Sequence, residues 1–172
     1  GVTTFEQAQR ILSIGFEKIS LNNACVRNPQ LVTQLSEHFG AQAIIGSIDV
    51  KKNLFGNYQV MALNGKESIG KDLVEYAKEL ESLGVGEILL TAIDREGTWQ
   101  GFDLELVKAV ADAVDIPVIA HGGAGNIGHI GEVVKQGNAS AVALGSMVVF
   151  QKQGMGVLVN FPERKALEQA IS

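Results

Sequence analysis

A chain of 172 residues is long enough for one domain with its own core, and 46% hydrophobic content with only 6% aromatics makes that core aliphatic. A net charge of −5 without a Lys/Arg cluster argues against nucleic acid as the main partner, and Cys25, the single cysteine, excludes an internal disulfide framework and suits a reducing, cytoplasmic setting. No apolar run of about 18 residues and no signal-peptide pattern is present, so nothing points to a membrane span or to export.

In chain order, Gly1-Val2-Thr3-Thr4 leads straight into a helix, as if the sequence began inside a domain. Thr3 with Glu6 reads as a capping box, Phe5, Ala8, Ile11 and Leu12 follow at helical spacing, and Gly15 ends the helix. Lys18 to Leu21 is a short strand closed by Asn22-Asn23. Asn28-Pro29 caps a second helix whose buried face is Leu31, Val32, Leu35 and Phe39, stopped at Gly40. Ala43 to Ile48 is a strand running into Asp49. Turn signals at residues 53–56 and 64–65 flank Tyr58 to Leu63, which predicts a strand pair or lid inserted here. A helix over residues 71–83 follows, with Leu73, Ala77, Leu80 and Leu83 on one face. Ile88 to Ile93 is a buried strand that turns polar at Asp94, and Asp103 caps a helix carrying Leu106, Val107, Val110 and Val114. Pro117 to Ala120 is a strand, Asn126 caps a helix that Gly137 stops, Ala141 to Leu144 is a strand, and Phe161-Pro162 opens a terminal helix to Ile171.

The order is one helix, then strand and helix five times over. The strands lack hydrophobic alternation, which predicts burial on both faces and a parallel sheet. Polar groups gather at the C-terminal ends of successive strands, which favours a (β/α)8 TIM barrel over a doubly wound sheet. Five strands are visible where a barrel has eight. The expectation is therefore a single α/β domain over residues 1–172, an incomplete barrel covering about strands 4–8, with the N-terminal third missing from the sequence.

Asp94 draws attention first, as a carboxylate at a strand end. Asp49 has the same placement, where partial desolvation suits a general acid or base; the plainer alternative is a capping Asp beside Lys51. Gly97-Thr98, Gly122-Gly123 and Gly145-Ser146 follow three consecutive strands, and backbone N–H groups in such turns can surround a phosphate. Asn22 and Asn23 could hold a second anion or be turn residues. His121 sits inside the expected phosphate loop, where donation, titration or a structural role are all open. His38 and His129 read as surface or packing residues, Cys25 as a small buried one. No spacing resembles a metal site, and no cofactor is expected. Lys18 and Glu87 begin two strands at the end opposite Asp49, as a salt bridge or as a gate into the barrel.

The segments Gly-Glu-Ile-Leu-Leu-Thr-Ala-Ile-Asp-Arg-Glu-Gly-Thr (86–98), Pro-Val-Ile-Ala-His-Gly-Gly-Ala-Gly (117–125) and Lys-Ile-Ser-Leu-Asn-Asn-Ala (18–24) resemble the cyclase subunit of imidazole glycerol phosphate synthase, the HisF family, to about Phe150. The resemblance implies a (β/α)8 barrel that receives ammonia from a glutaminase docked at its N-terminal face. The ammonia reacts with a ribulosyl aminoimidazole carboxamide nucleotide to give imidazole glycerol phosphate and an aminoimidazole carboxamide ribotide, in histidine biosynthesis. It implies two acid–base aspartates. The second matches Asp49, and the first belongs on a strand that this sequence does not contain. Phosphate sites map onto Asn22 and Asn23 at one end and onto Glu96, Gly97, His121, Gly122, Gly123, Gly145 and Ser146 at the other. Thr91 supports the site and Asp94 holds its loop. Lys18 and Glu87 match the ammonia gate, and Glu17 an acidic residue facing the glutaminase. Asn23 stands where Thr is usual, Glu96 where Asp is usual, and His121 where Ser or another small residue is usual. The tail Val157-Leu-Val-Asn-Phe-Pro162 looks more like the branch found in surface-polysaccharide gene sets, which supplies ammonia for sugar amidation. A non-catalytic fragment or scaffold is the reading of a different class.

Overall fold

The computed structural model describes residues 1–150, 154 and 156–172. Helix α1 (Phe5–Ser13) starts one residue later than the expected box. Thr4 is the cap and accepts from the Gln7 N–H, while the Gln7 side chain accepts from the Thr4 N–H. The Thr3/Glu6 pairing is therefore corrected to Thr4/Gln7. Gln7 also takes the Thr3 N–H at 2.8 Å, so one amide oxygen accepts from both residues that precede the helix.

Strand β1 (Ile19–Leu21) is followed at once by a short helix α2 (Asn23–Arg27) that periodicity does not reveal. Helix α3 (Pro29–Phe39) has proline in its first turn, but the Asn28 side chain makes no capping bond. That expectation is corrected, because the Leu31 N–H that a capping side chain would take already donates to the Asn28 backbone carbonyl at 3.0 Å. Strand β2 (Ile44–Lys52) does not stop before Asp49 but runs three residues past it, because β3 (Tyr58–Ala62) pairs antiparallel with its second half. A two-residue strand β4 (Glu67–Ser68) extends this hairpin. Helix α4 (Leu73–Ser82), strand β5 (Glu87–Ala92), helix α5 (Leu104–Ala111), strand β6 (Val118–His121), helix α6 (Ile127–Lys135) and strand β7 (Ala141–Ala143) follow as expected. The chain ends in a single turn α7 (Ser146–Val149) and helix α8 (Arg164–Ile171), which begins two residues beyond Pro162.

The parallel strands lie in chain order, β1-β2-β5-β6-β7, with helices between them. This is the wall of a (β/α)8 barrel, not a doubly wound sheet, whose strand order would reverse at a switch point. Residues 45 and 46 of β2 pair with both β1 and β5, and residues 49 and 50 with both β3 and β5. The hairpin therefore shares one edge of β2 with β1 and sits at its C-terminal half.

Burial alternates along the strands, which corrects the expectation of burial on both faces. On β2, Ile44, Gly46, Ile48 and Val50 are buried while Ile45, Ser47 and Asp49 are half-buried. A Cβ at Gly46 would stand 3.0 Å from Leu80 of α4, so the buried face is the one under the helices. Leu35, Tyr76, Leu80, Leu106, Val110 and Val133 cover it, each aliphatic contributing about 1.5–3 kcal/mol on burial. The other face is the barrel interior, half-covered because five parallel strands do not close on themselves.

Candidate functional site

Parallel register arranges the interior side chains in rows. Asp49 is opposite Thr91, and Thr91 is opposite His121, which is opposite Ala143. Below them Ser47, Leu89, Ile119 and Ala141 form a second row, and at the other end Ser20, Ile45 and Glu87 form a third. Side chains in one row of a parallel sheet share a face. Asp49, Thr91 and His121 are thus neighbours at the C-terminal rim, while Glu87 looks into the same interior from the floor. Glu87 and Thr91 are four residues apart on β5, about 13 Å at ~3.3 Å per residue.

Burial raises the Asp49 carboxyl above its ordinary value, and the charge of His121 and a hydrogen bond from Asn22 only partly offset it. A carboxyl with this bias keeps its proton to higher pH than a free aspartate and can hand it to a reacting group. Thr91 Oγ1 lies 3.2 Å from His121 Nδ1, which fixes the ring. Its other nitrogen, Nε2, faces Glu96 Oε2 at 3.7 Å.

The three glycine turns converge at this rim. Gly122 and Gly123 have φ of +97° and +101°, and a Cβ on either would stand 2.4 Å from the Ala92 carbonyl oxygen or 2.2 Å from that of Gly101. The loop after β6 is thereby pressed against the end of β5 and the loop after it, an approach only glycine permits. Gly122→Ala is expected to destabilise the fold by about 1–3 kcal/mol from backbone strain before the clash is counted. Denaturant unfolding should show a lower midpoint with an unchanged slope. Of the expected anion-binding groups, Glu96 is the exception in kind. Its Oε1 accepts from the Ser146 N–H at 3.1 Å and from Ser146 Oγ at 2.9 Å, so the carboxylate itself takes up the donors of the loop after β7. Gly97 lies opposite Ser146, with a Cβ there 3.6 Å from Oγ.

Asn22 and Asn23 lie at the end of β1. Asn22 stands beside Asp49 and acts to lower its carboxyl, and Asn23 Oδ1 accepts the Leu63 N–H at 2.9 Å, tying the hairpin down. Asp94 Oδ2 accepts the Lys52 N–H at 3.1 Å, binding the loop after β5 to the end of β2. Asp103 does more than cap α5. It is 6% exposed, accepts from Tyr58 Oη at 2.9 Å and from the Leu106 N–H at 3.2 Å, and pairs with Lys52 at 2.9 Å and Arg95 at 3.6 Å. Its partners come from three other segments, so no sequence spacing announces the cluster. His129 Nδ1 accepts the Gly125 N–H at 3.1 Å and holds the loop after β6, and His38 stacks edge-on against Phe5 and Phe39. Cys25 is buried, donates to the Leu21 carbonyl, and its thiol is pushed up to about 12 by burial. A cavity of about 520 Å³ is lined by Trp99, Asn126, Met147, Asn160 and Pro162, on the glycine loops but away from Asp49.

At the floor, Lys18 and Glu87 form an ion pair between β5 and the residue preceding β1, both partly exposed, with Glu17 exposed beside them. No helix among the described residues is long and apolar enough to cross a membrane.

An α/β barrel wall with a desolvated carboxyl and glycine loops at its C-terminal rim defines the class of (β/α)8 proteins that present chemistry on their strand ends. The family model described as "Histidine biosynthesis protein" matches residues 1–153. The chain is 40% identical over 168 residues to a Pseudomonas aeruginosa (strain PAO1) protein provisionally named imidazole glycerol phosphate synthase subunit hisF2, covering 98% of this chain and 67% of the relative. It is likewise 40% identical over 173 residues to a Vibrio vulnificus (strain YJ016) protein provisionally named subunit hisF3, covering 98% of this chain and 66% of that one. The chain belongs to the histidine biosynthesis protein family, and it spans about two thirds of the length of these relatives.

Proposed function

We propose that this chain is the ammonia-using barrel subunit of a two-component amidotransferase of the imidazole glycerol phosphate synthase type. A glutaminase docks at the floor around Glu17, Lys18 and Glu87, and ammonia crosses the barrel interior to the rim. There Asp49 acts as acid–base group on a ribulosyl aminoimidazole carboxamide nucleotide, cyclising it to imidazole glycerol phosphate with release of the carboxamide ribotide. The observation that carries the reading is the alignment of Asp49 and Glu87 on the same interior face at opposite ends of adjacent strands. An acid–base carboxyl at one end and an ion pair at the other, joined by Ser47, Leu89 and Ile119, is what a short conduit requires.

The test is turnover of that nucleotide with ammonium, read as formation of imidazole glycerol phosphate, and then with glutamine plus the glutaminase. Glu87→Gln breaks the floor pair without touching Asp49. It is expected to lower glutamine-dependent turnover several-fold more than ammonium-dependent turnover. Equal losses in the two assays would remove the gate from the reading.

A second reading has its own support. In the surface-polysaccharide branch the barrel would supply ammonia for amidating a sugar. The imidazole of His121, held by Thr91 at the end of β6 where a small residue is usual, favours a substrate other than that nucleotide. Binding of the nucleotide without any cyclised product would favour this branch.

A further inference from the structure

The two lysines at the end of β2 have different fates. The Lys52 ammonium pairs with Asp103 at 2.9 Å and lies 4.9 Å from the centre of the Tyr58 ring. Alternation along a strand puts Lys51 on the other face, the one that Asp49 occupies. The hairpin register agrees, with Lys52 opposite Tyr58 and Lys51 opposite Gln59. Lys51 therefore belongs to the interior, about 7 Å beyond Asp49 along the strand. It is half-buried, and no carboxylate among the described residues pairs with it. Arg95, in the loop after β5, is committed to Asp103 and to the Gly101 and Phe102 carbonyls. Among the described strand residues of the interior face, Lys51 is the one lysine or arginine. Beside it, β1 ends in Asn22 and Asn23. Asn23 Oδ1 is committed to the Leu63 N–H, and Asn22 stands beside Asp49. These amides bring no charge to balance an anion.

We infer that Lys51 anchors a phosphoryl group of the substrate at the β1–β2 side of the rim, just beyond Asp49. A half-buried ammonium without a counter-ion carries a desolvation penalty that an arriving anion relieves. Its three donors and compact charge suit phosphoryl oxygens. Gln59, opposite it, is neutral and leaves the charge unopposed. The platform is fixed: Asn23 ties the hairpin to β1, Asp94 ties the Lys52 N–H to the loop after β5, and Asp103 holds Tyr58. The lysine thus rises from a rigid strand. The glycine loops after β6 and β7 lie two or more strands away, about 10 Å at the nearest, so they cannot hold the same group. The phosphoryl charge is the same before and after ring closure, so the ammonium attracts ground state and transition state alike. Lys51 is therefore a binding group, while Asp49 below it moves the proton. The inference rests on the reading that the substrate is bound at this rim.

The test is acylation of the chain by acetic anhydride, with and without inorganic phosphate at constant ionic strength. Mass spectrometry reads the rate at each lysine. Saturating phosphate is expected to slow acylation of Lys51 by roughly fivefold or more and to leave Lys66, exposed on the same hairpin, within about twofold. Equal slowing at both lysines, or none at Lys51, would overturn the inference. Lys51→Met keeps the stem and removes the charge, and Lys51→Arg keeps the charge. In ammonium-dependent turnover of the nucleotide, Lys51→Met is expected to raise KM about tenfold or more with kcat within about threefold. Lys51→Arg should stay within about threefold in both. A loss confined to kcat, or shared in full by Lys51→Arg, would also overturn it. The acylation needs no turnover, so its failure removes Lys51 and leaves Asp49 to its own assay. Absence of cyclised product with Lys51 still protected would count against the proposed reaction alone.

Discussion

Asp49→Asn is expected to lower ammonium-dependent turnover by about 10²–10⁴-fold, the range a positioned acid–base group contributes, while leaving the fold intact. The amide matches the carboxyl in size and can still bond Asn22, so packing at the rim is preserved. What it loses is the proton. The measurement is single-turnover product formation with ammonium in excess, which separates chemistry from ammonia delivery. Turnover within a few-fold of the unaltered protein would remove Asp49 from the mechanism.

The same substitution carries a pH signature of opposite kind in stability. The Asp49 carboxyl is held above its ordinary value, chiefly by burial. Folding therefore favours its protonated form. The stability it contributes is fully present below the unfolded value of about 3.9 and is lost as pH rises through the higher folded value. Asn is never charged and escapes that loss. Asp49→Asn should match the unaltered protein in stability near pH 3 and exceed it at neutral pH, a crossing that thermal melts across the range would display. A group that is less stable as the native residue than as its neutral analogue is retained for chemistry, not for folding.

Sequence patterns carried the parallel wall because its signals are local. Asp103 and Asn126 cap their helices through bonds three residues on, and glycines mark the turns after β5, β6 and β7. The hairpin after Asp49 was legible from its turn residues, but its consequence was not: pairing with β3 carries β2 on to Lys52. Helix α2 was hidden because five residues hold too little periodicity to register. At the site, strand ends pointed to Asp49 and His121 separately. That they share a row is set by register between strands far apart in sequence, which no spacing reveals. Glu96 was grouped with the anion binders by position, yet a side chain's partner depends on the loop it meets, and that loop lies 50 residues away. Asp103 was seen only as a cap, for the same reason.

Asp103→Ala is expected to destabilise the fold by about 3 kcal/mol. Its carboxylate is nearly inaccessible and neutralises Lys52 and Arg95, accepts from Tyr58 and caps α5. Breaking a buried pair costs about 3–5 kcal/mol because the stranded charge stays behind. Lys52 and Arg95 keep roughly a third of their side chains in water, which places the loss at the low end. For a chain of this size the melting temperature should fall by roughly 10 °C. Asp103→Asn keeps a good cap but not the charge, and should lose about half as much. Burial alone would raise the Asp103 carboxyl, but Lys52, the Leu106 N–H and Tyr58 together bring it below its ordinary value. Its contribution is then present above the unfolded value of about 3.9 and disappears as pH falls through the lower folded one, so the gap between the two proteins should close in acid. Asp103 bridges the hairpin strand β3 and the end of β2 to the loop after β5, which Asp94 also ties to Lys52. The damage should therefore reach the rim. Ammonium-dependent turnover should fall in Asp103→Ala even at temperatures where the protein remains folded, and a variant that melts early yet turns over at the full rate would separate the cluster from the site.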